Sequence, residues 1–136
     1  IDHCLVGSEM CIRDRSTMAP TIVFDKDDEL FLVTGSPGGS DIPAAILRVI
    51  TGVIDFDLDI GEATMLPRIH KDWPYRGLEH ERAVSRDIVR RLSSMGHEPE
   101  YENTIGSTQS IHVVDDVNYG YADLRRPNAG VSVQTN

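Results

Sequence analysis

The sequence predicts an α+β fold, an antiparallel sheet with helices packed on it, and three observations predict it. Two β-branched and aromatic runs, residues 21–25 and 30–34, stand either side of a polar turn. A long run with helical apolar spacing follows at residues 42–54, and the last third returns to β-type sequence at residues 109–122. The elements read in the order ββ, αα, ββ, α, ββ, which suits an antiparallel sheet layered with helices. At 136 residues the chain is the size of one domain.

The first pair reads as a hairpin whose turn is Lys26-Asp27-Asp28-Glu29. Both strands are apolar on both faces, so the sheet is expected to be covered on each side, with the following helices as covers. Ile42, Ala45, Ile46, Val49, Ile50, Val53 and Ile54 repeat at one-face helical spacing, with Ser40 placed as N-cap and Pro43 tolerated in the first turn. A short helix is expected over residues 60–65, because Asp59 and Glu62 suit a helix start and Pro67 follows. Residues 85–95 form a further amphipathic helix, with Ile88, Val89, Leu92 and Met95 on one face and Gly96 as its stop. Residues 68–70 and 78–82 read as short strands between the helices. Residues 109–114 and 119–122 read as a hairpin turning at residues 115–118, and the chain from Arg125 onward reads as loop or tail.

Composition narrows the function classes. Hydrophobic residues make up 40% of the chain, enough for a core, and the formal net charge is -9. With Arg90-Arg91 and Arg125-Arg126 as isolated basic pairs, a nucleic-acid backbone or anionic membrane is an improbable partner. There is no run of 18 apolar residues and no secretory-signal pattern at the start, so the chain reads as soluble. Cys4 and Cys11 have no second Cys or His pair at zinc-like spacing. Residues 1–15 fit neither a helical nor an alternating pattern; they resemble translated sequencing-adaptor read-through and are set aside from the fold.

The stretch with most chemical content is Thr34-Gly35-Ser36-Pro37-Gly38-Gly39-Ser40, at the junction of a strand and the long helix. Gly38 and Gly39 lack a Cβ, so their amides can turn toward a ligand, and the helix start adds free N–H donors and a positive dipole end. A developing oxyanion suits such a nest; in the other reading the glycines serve only a tight turn. The loop matches neither the phosphate-binding lysine motif nor the dinucleotide glycine fingerprint. His70, Asp72, His80 and Glu81 match no metal-binding spacing and read as a solvated loop, so neither a metal nor a cofactor is expected. His97 and His112 read as ordinary histidines. Ser16-Thr17 before the first strand and Gly106-Ser107-Thr108-Gln109-Ser110 before a later one are small polar turns.

Taken together, Ser16-Thr17-Met18-Ala19-Pro20-Thr21-Ile22-Val23, Val33-Thr34-Gly35-Ser36-Pro37-Gly38-Gly39-Ser40, Glu62-Ala63-Thr64 with Pro67-Arg68-Ile69-His70, Gly96-His97, and Gly106-Ser107-Thr108-Gln109-Ser110-Ile111 resemble, in order and spacing, the C-terminal part of the small subunit of γ-glutamyltranspeptidase. The resemblance covers about residues 16–126. It implies part of the four-layer αββα sandwich of N-terminal-nucleophile hydrolases, made when a precursor cuts itself into large and small subunits. It implies cleavage of glutathione or related γ-glutamyl amides, with the γ-glutamyl group passed to water or to an amino-acid acceptor, and a periplasmic or extracellular setting. Gly38 and Gly39 would form the oxyanion hole, and Ser16 and Thr17 would match the Ser-Ser pair that binds the glutamyl head group. Three departures stand out. Thr17 replaces the second serine, Asp123-Leu124-Arg125 stands where the family has Asp-Pro-Arg, and the threonine nucleophile lies upstream of residue 16. The fragment, residues 16–136, is therefore expected to be inactive alone and to need the large subunit and the rest of the small one. The alternatives are a related glutaryl or cephalosporin acylase and a non-catalytic α/β binding module.

Overall fold

The computed structural model describes residues 19–72 and 77–132. In chain order the elements are β1 (Thr21–Phe24), β2 (Leu30–Gly35), α1 (Ile42–Ile54), α2 (Ile60–Met65), β3 (Ile69–Lys71), β4 (Leu78–His80), α3 (Arg86–Ser94), β5 (Pro99–Tyr101), β6 (Gln109–Val114) and β7 (Val117–Ala122). They build a four-stranded antiparallel sheet in the order β1-β2-β6-β7 and a smaller sheet in the order β3-β4-β5.

The small sheet was only half expected. β5 is a Pro-Glu-Tyr triplet without alternation, and it pairs parallel to β4, Leu78 opposite Pro99, across the α3 connection. The parallel pairing is what the intervening helix permits.

Turn chemistry explains the hairpins. Asp25 accepts hydrogen bonds from the amides of Asp27 and Glu29 at 2.8 and 3.0 Å, closing the β1–β2 turn. Between β6 and β7 the turn is only Asp115-Asp116, both at positive φ, the two-residue form whose twist matches that of the strands. Val117 and Asn118, expected in the turn, therefore belong to β7.

Helix ends are set by side chains in two cases of three. Asp59 caps α2 through the Glu62 amide at 2.8 Å, and Ser85 caps α3 through the Ile88 amide at 3.3 Å. The α3 end is a Schellman closure at Gly96: His97 N–H donates to Leu92 C=O and Gly96 N–H to Ser93 C=O. For α1 the expectation fails. Its N-cap is Asp41, not Ser40, and the Asp41 side chain makes no capping hydrogen bond.

α1 and α2 lie on one face of the large sheet, where Leu32, Val49, Val53, Ile60 and Ala63 form the buried core with Val23, Phe31, Ile50, Leu58 and Tyr121 packed around it. Each such aliphatic side chain contributes about 1.5–3 kcal/mol when fully buried. On the opposite face Ile22 and Ile111, in register through Val33, remain 59% and 44% exposed. One face is thus covered by helices, as the apolar strands required, and the described residues leave the other uncovered. The apolar side of α3 is similarly open, with no buried residue in the helix.

Gly52 marks the tightest contact between α1 and α2: a Cβ there would lie 2.9 Å from Ala63 Cβ. Helix propensity favours Ala over Gly by about 0.8–1.0 kcal/mol, but overpacking costs about 1–3 kcal/mol. Gly52→Ala should therefore lower the urea midpoint, and in an Ala63→Gly background the same change should lose that penalty.

Candidate functional site

The glycine loop is held from below by a second turn. Ser36, buried at the end of β2, accepts a hydrogen bond from the Ser107 amide at 3.0 Å and donates to Pro37 C=O at 2.9 Å. Gly106 sits at φ +67, and a Cβ there would meet Ala45 Cβ at 2.7 Å and Ser36 Oγ at 3.1 Å, so only glycine permits this approach. Thr34 and Ser110 join the same two segments by a 2.7 Å hydroxyl pair. Residues 33–40 and 106–111, far apart in sequence, are thus joined into one hydrogen-bonded unit.

Above it, Gly38 is exposed and Gly39 half-buried. Among the described residues their amides donate to no acceptor, while Gly39 C=O accepts from Ile42 N–H at 3.4 Å in the first turn of α1. A Cβ on Gly39 would meet nothing within 4 Å, so the space beside it is open. The arrangement places two amides without a protein acceptor at a helix start, the kind of position where anions bind. Ser16 and Thr17 lie outside the described residues.

The turn carrying Gly106 is fixed in turn by four buried charges that the sequence did not bring together. Arg68 is 1% exposed and donates to Asp123 Oδ2 at 2.8 Å, Ile105 C=O at 2.9 Å, Thr64 C=O at 3.0 Å and Thr108 Oγ1 at 3.1 Å. Glu81 accepts from the amides of Arg68 and Ile105, and Asp123 from the amides of Thr108 and Arg125. Arg125 closes the ring, gripping Glu81 with two bonds of 2.7 Å and donating to Asp123 Oδ1 at 3.1 Å and to the carbonyls of Thr64 and Leu66 at 2.9 Å. Arg125 lies in a loop as expected but is anchored rather than a free tail, and Glu81 is buried rather than part of a solvated loop. The one signal that pointed here was Asp123-Leu124-Arg125 as a family motif; its partners lie 44 and 55 residues away in sequence.

Burial opposes the charge on both carboxylates, but the opposition is overcome. Arg125 and the amides of Ile105 and Arg68 hold Glu81 below the usual carboxylate range, and the Arg125 amide with the two guanidinium charges does the same for Asp123. Burial and the charge of Arg125 lower Arg68, against the pull of Asp123. Arg125 is itself raised, since its bonds to Glu81 and the charge of Asp123 outweigh burial. His112, tucked edge-on against Phe31 at 4.7 Å, is lowered by burial.

Of the residues weighed as metal ligands, His70 alone reaches a cluster, with Asp41 and Glu79 rather than with Asp72, His80 and Glu81. His80 instead contacts Glu81 C=O through Nδ1 at 3.1 Å.

An antiparallel sheet with a helical layer on one face is the architecture this chain shares with the N-terminal-nucleophile hydrolases among its structural neighbours. The chain belongs to the γ-glutamyltranspeptidase family, whose model matches residues 11–133. It is 42% identical over 114 residues to the glutathione hydrolase proenzyme of Escherichia coli K12, covering 83% of this chain and 20% of that protein. The chain thus spans about a fifth of the length of that relative. The crystal structure of Helicobacter pylori γ-glutamyltranspeptidase superimposes with a TM-score of 0.77 at 37% identity, covering 82% of this chain and 62% of that one. A cephalosporin acylase from Bacillus halodurans, at TM-score 0.73 and 23% identity over 82% of this chain and 21% of its own, shares the fold alone.

Removing one partner from a buried ion pair leaves the other uncompensated, so Glu81→Gln should cost about 3–5 kcal/mol. Adding Arg125→Met should cost less than the sum of the two single changes, measured by a double-mutant cycle in urea.

The acid limb is also set. The folded values of Glu81 and Asp123 lie below their unfolded ones, so their contribution is full above the unfolded carboxylate range, about pH 4, and lost as pH falls through the lowered folded values. His112 has the same sign: stability falls as pH drops below about 6.5, where the unfolded imidazole takes up its proton first. Urea unfolding across pH 3–7 should show a shallow His112 decline, absent in His112→Gln, and a steeper loss below about pH 4.

Proposed function

We propose that residues 16–136 are the C-terminal portion of the small subunit of a glutathione hydrolase, a γ-glutamyltransferase that cleaves γ-glutamyl amides. The observation that carries the reading is the glycine loop: the amides of Gly38 and Gly39 meet no acceptor among the described residues, the space beside Gly39 is open, and the loop is hydrogen-bonded to the turn beneath it. Attack on the γ-carbonyl carbon drives its oxygen to an oxyanion, which these amides would stabilise; one such donor is worth on the order of 3 kcal/mol in the transition state. Collapse of the tetrahedral species expels the amine, and water or an amino-acid acceptor then takes the γ-glutamyl group from the nucleophile. Ser16 and Thr17 would grip the glutamyl head group near its α-carboxylate.

The attacking threonine belongs, in this reading, to small-subunit sequence outside these 136 residues, in keeping with the share of its relatives that the chain spans. The exposed face bearing Ile22 and Ile111 would pack against the second sheet of the αββα sandwich, and the large subunit would complete the enzyme. The setting would be periplasmic or extracellular. Among the described residues no helix is long and apolar enough to cross a membrane.

The test is release of the chromophore from a γ-glutamyl anilide. The chain alone should give none, and the complete two-subunit protein should turn over. In that complete protein Gly39→Val, whose Cβ meets no neighbour in the fold, should cut kcat on the order of 100-fold through occlusion of the nest. Turnover by the isolated chain, abolished by the same change, would sink the assignment; cleavage of glutaryl but not γ-glutamyl amides by the complete protein would move it to the acylases.

A further inference from the structure

Beside the glycine loop, three ligand-type side chains converge from three different elements. His70 on β3 and Glu79 on β4 are directly opposed in the ladder, and Asp41 arrives from the start of α1. One ligand atom from each lies within 4.8 Å of the others. The His70 side chain is 10% exposed, and its Nε2 faces Asp41 Oδ1 at 3.5 Å without a hydrogen-bond partner at either atom among the described residues. Glu79 is 6% exposed.

A buried imidazole nitrogen aimed at two carboxylates is the donor set of a first-row transition ion. Magnesium and calcium favour oxygen alone, whereas zinc accepts imidazole and carboxylate together. Geometry agrees. Two ligands about 2.0–2.1 Å from a tetrahedral zinc lie about 3.4 Å apart, close to the 3.5 Å between Nε2 and Oδ1.

We propose that Asp41, His70 and Glu79 form a Zn²⁺ site, with solvent completing the coordination. The ion ties the N-terminus of α1 to the small sheet. Asp41 follows Gly38, Gly39 and Ser40 directly in the chain, so occupancy stiffens the loop that carries the amide nest. The site does not depend on the reaction assigned to that nest. It uses none of the residues given a role there, and its reading is binding rather than turnover.

The experiment uses the 136-residue chain with Cys4→Ser and Cys11→Ser, so that thiolates cannot bind the ion. It is loaded with Zn²⁺, desalted into metal-free buffer and assayed for retained metal; affinity is measured by calorimetry, and Co²⁺ serves as a spectroscopic substitute. The expected result is one Zn²⁺ per chain, a melting temperature that rises with Zn²⁺, and an affinity loss on the order of 100-fold in His70→Ala. Because loss of a buried ring can perturb the fold, Asp41→Asn and Glu79→Gln serve as near-isosteric second variants, with metal-free melting curves recorded for each. Weakened Zn²⁺ binding in all three, with metal-free melting near the parent's in at least one of the isosteric pair, supports the site. No retained metal, or affinity unchanged in Asp41→Asn and Glu79→Gln, overturns it and leaves only the His70–Asp41 contact.

Discussion

Arg68 carries a permanent positive charge to a place from which water is excluded, and the rest of the site depends on how that charge is met. A guanidinium can be buried only where carboxylates and carbonyls surround it in the plane of its donors. Here Asp123 supplies the counter-charge, while Thr64, Ile105 and Thr108 supply oxygen acceptors from a helix and from the turn before β6. Two negative and two positive groups alternate through Arg68, Asp123, Arg125 and Glu81. Such a ring adds little net stability over an apolar core of equal volume, since desolvation cancels most of the attraction. Its directional bonds instead specify position: they admit one placement of residues 105–108, and a shifted placement leaves a charge unpaired.

That placement travels to the glycine loop through direct hydrogen bonds and close packing. Glu81 and Arg68 hold the amide and carbonyl of Ile105, Gly106 lies against Ala45 and Ser36, and the Ser107 amide is bound by Ser36. The amides at Gly38 and Gly39 are therefore positioned by a network of buried charges on the far side of the turn. For stabilising charge that appears only during a reaction, fixed donors outperform mobile ones because no reorganisation is needed at that moment.

Local elements were legible because their signals are local. The apolar spacing of residues 42–54, the acidic helix start at Asp59 and the Gly96 stop each lie within one or two turns of what they specify. The glycine loop was legible for the same reason, as a strand-to-helix junction without side chains. Residues whose role depends on distant partners were not. Glu81 and Arg125 are charged residues in polar surroundings of sequence, and only the fold makes them partners 44 residues apart. β5 failed because three residues beginning with proline carry no period. Ser40 failed as a cap because the helix starts at Ile42, one residue later than a cap at Ser40 requires, which puts Asp41 in the capping position.

That last failure has an electrostatic meaning. An aspartate at an N-cap ordinarily satisfies the first helical amides and offsets the positive end of the dipole. Asp41 does neither by hydrogen bonding, and the first turn of α1 holds no acidic residue. Instead its carboxylate lies 3.5 Å from His70 Nε2. A carboxylate capping α1 would compete with any anion for the amides at this junction, and in a chain of formal charge -9 that competition would be severe. Drawing Asp41 toward the small sheet leaves those donors available. In the proposed reading, the chain can therefore be acidic overall and still leave the amides at this junction without a competing carboxylate of its own.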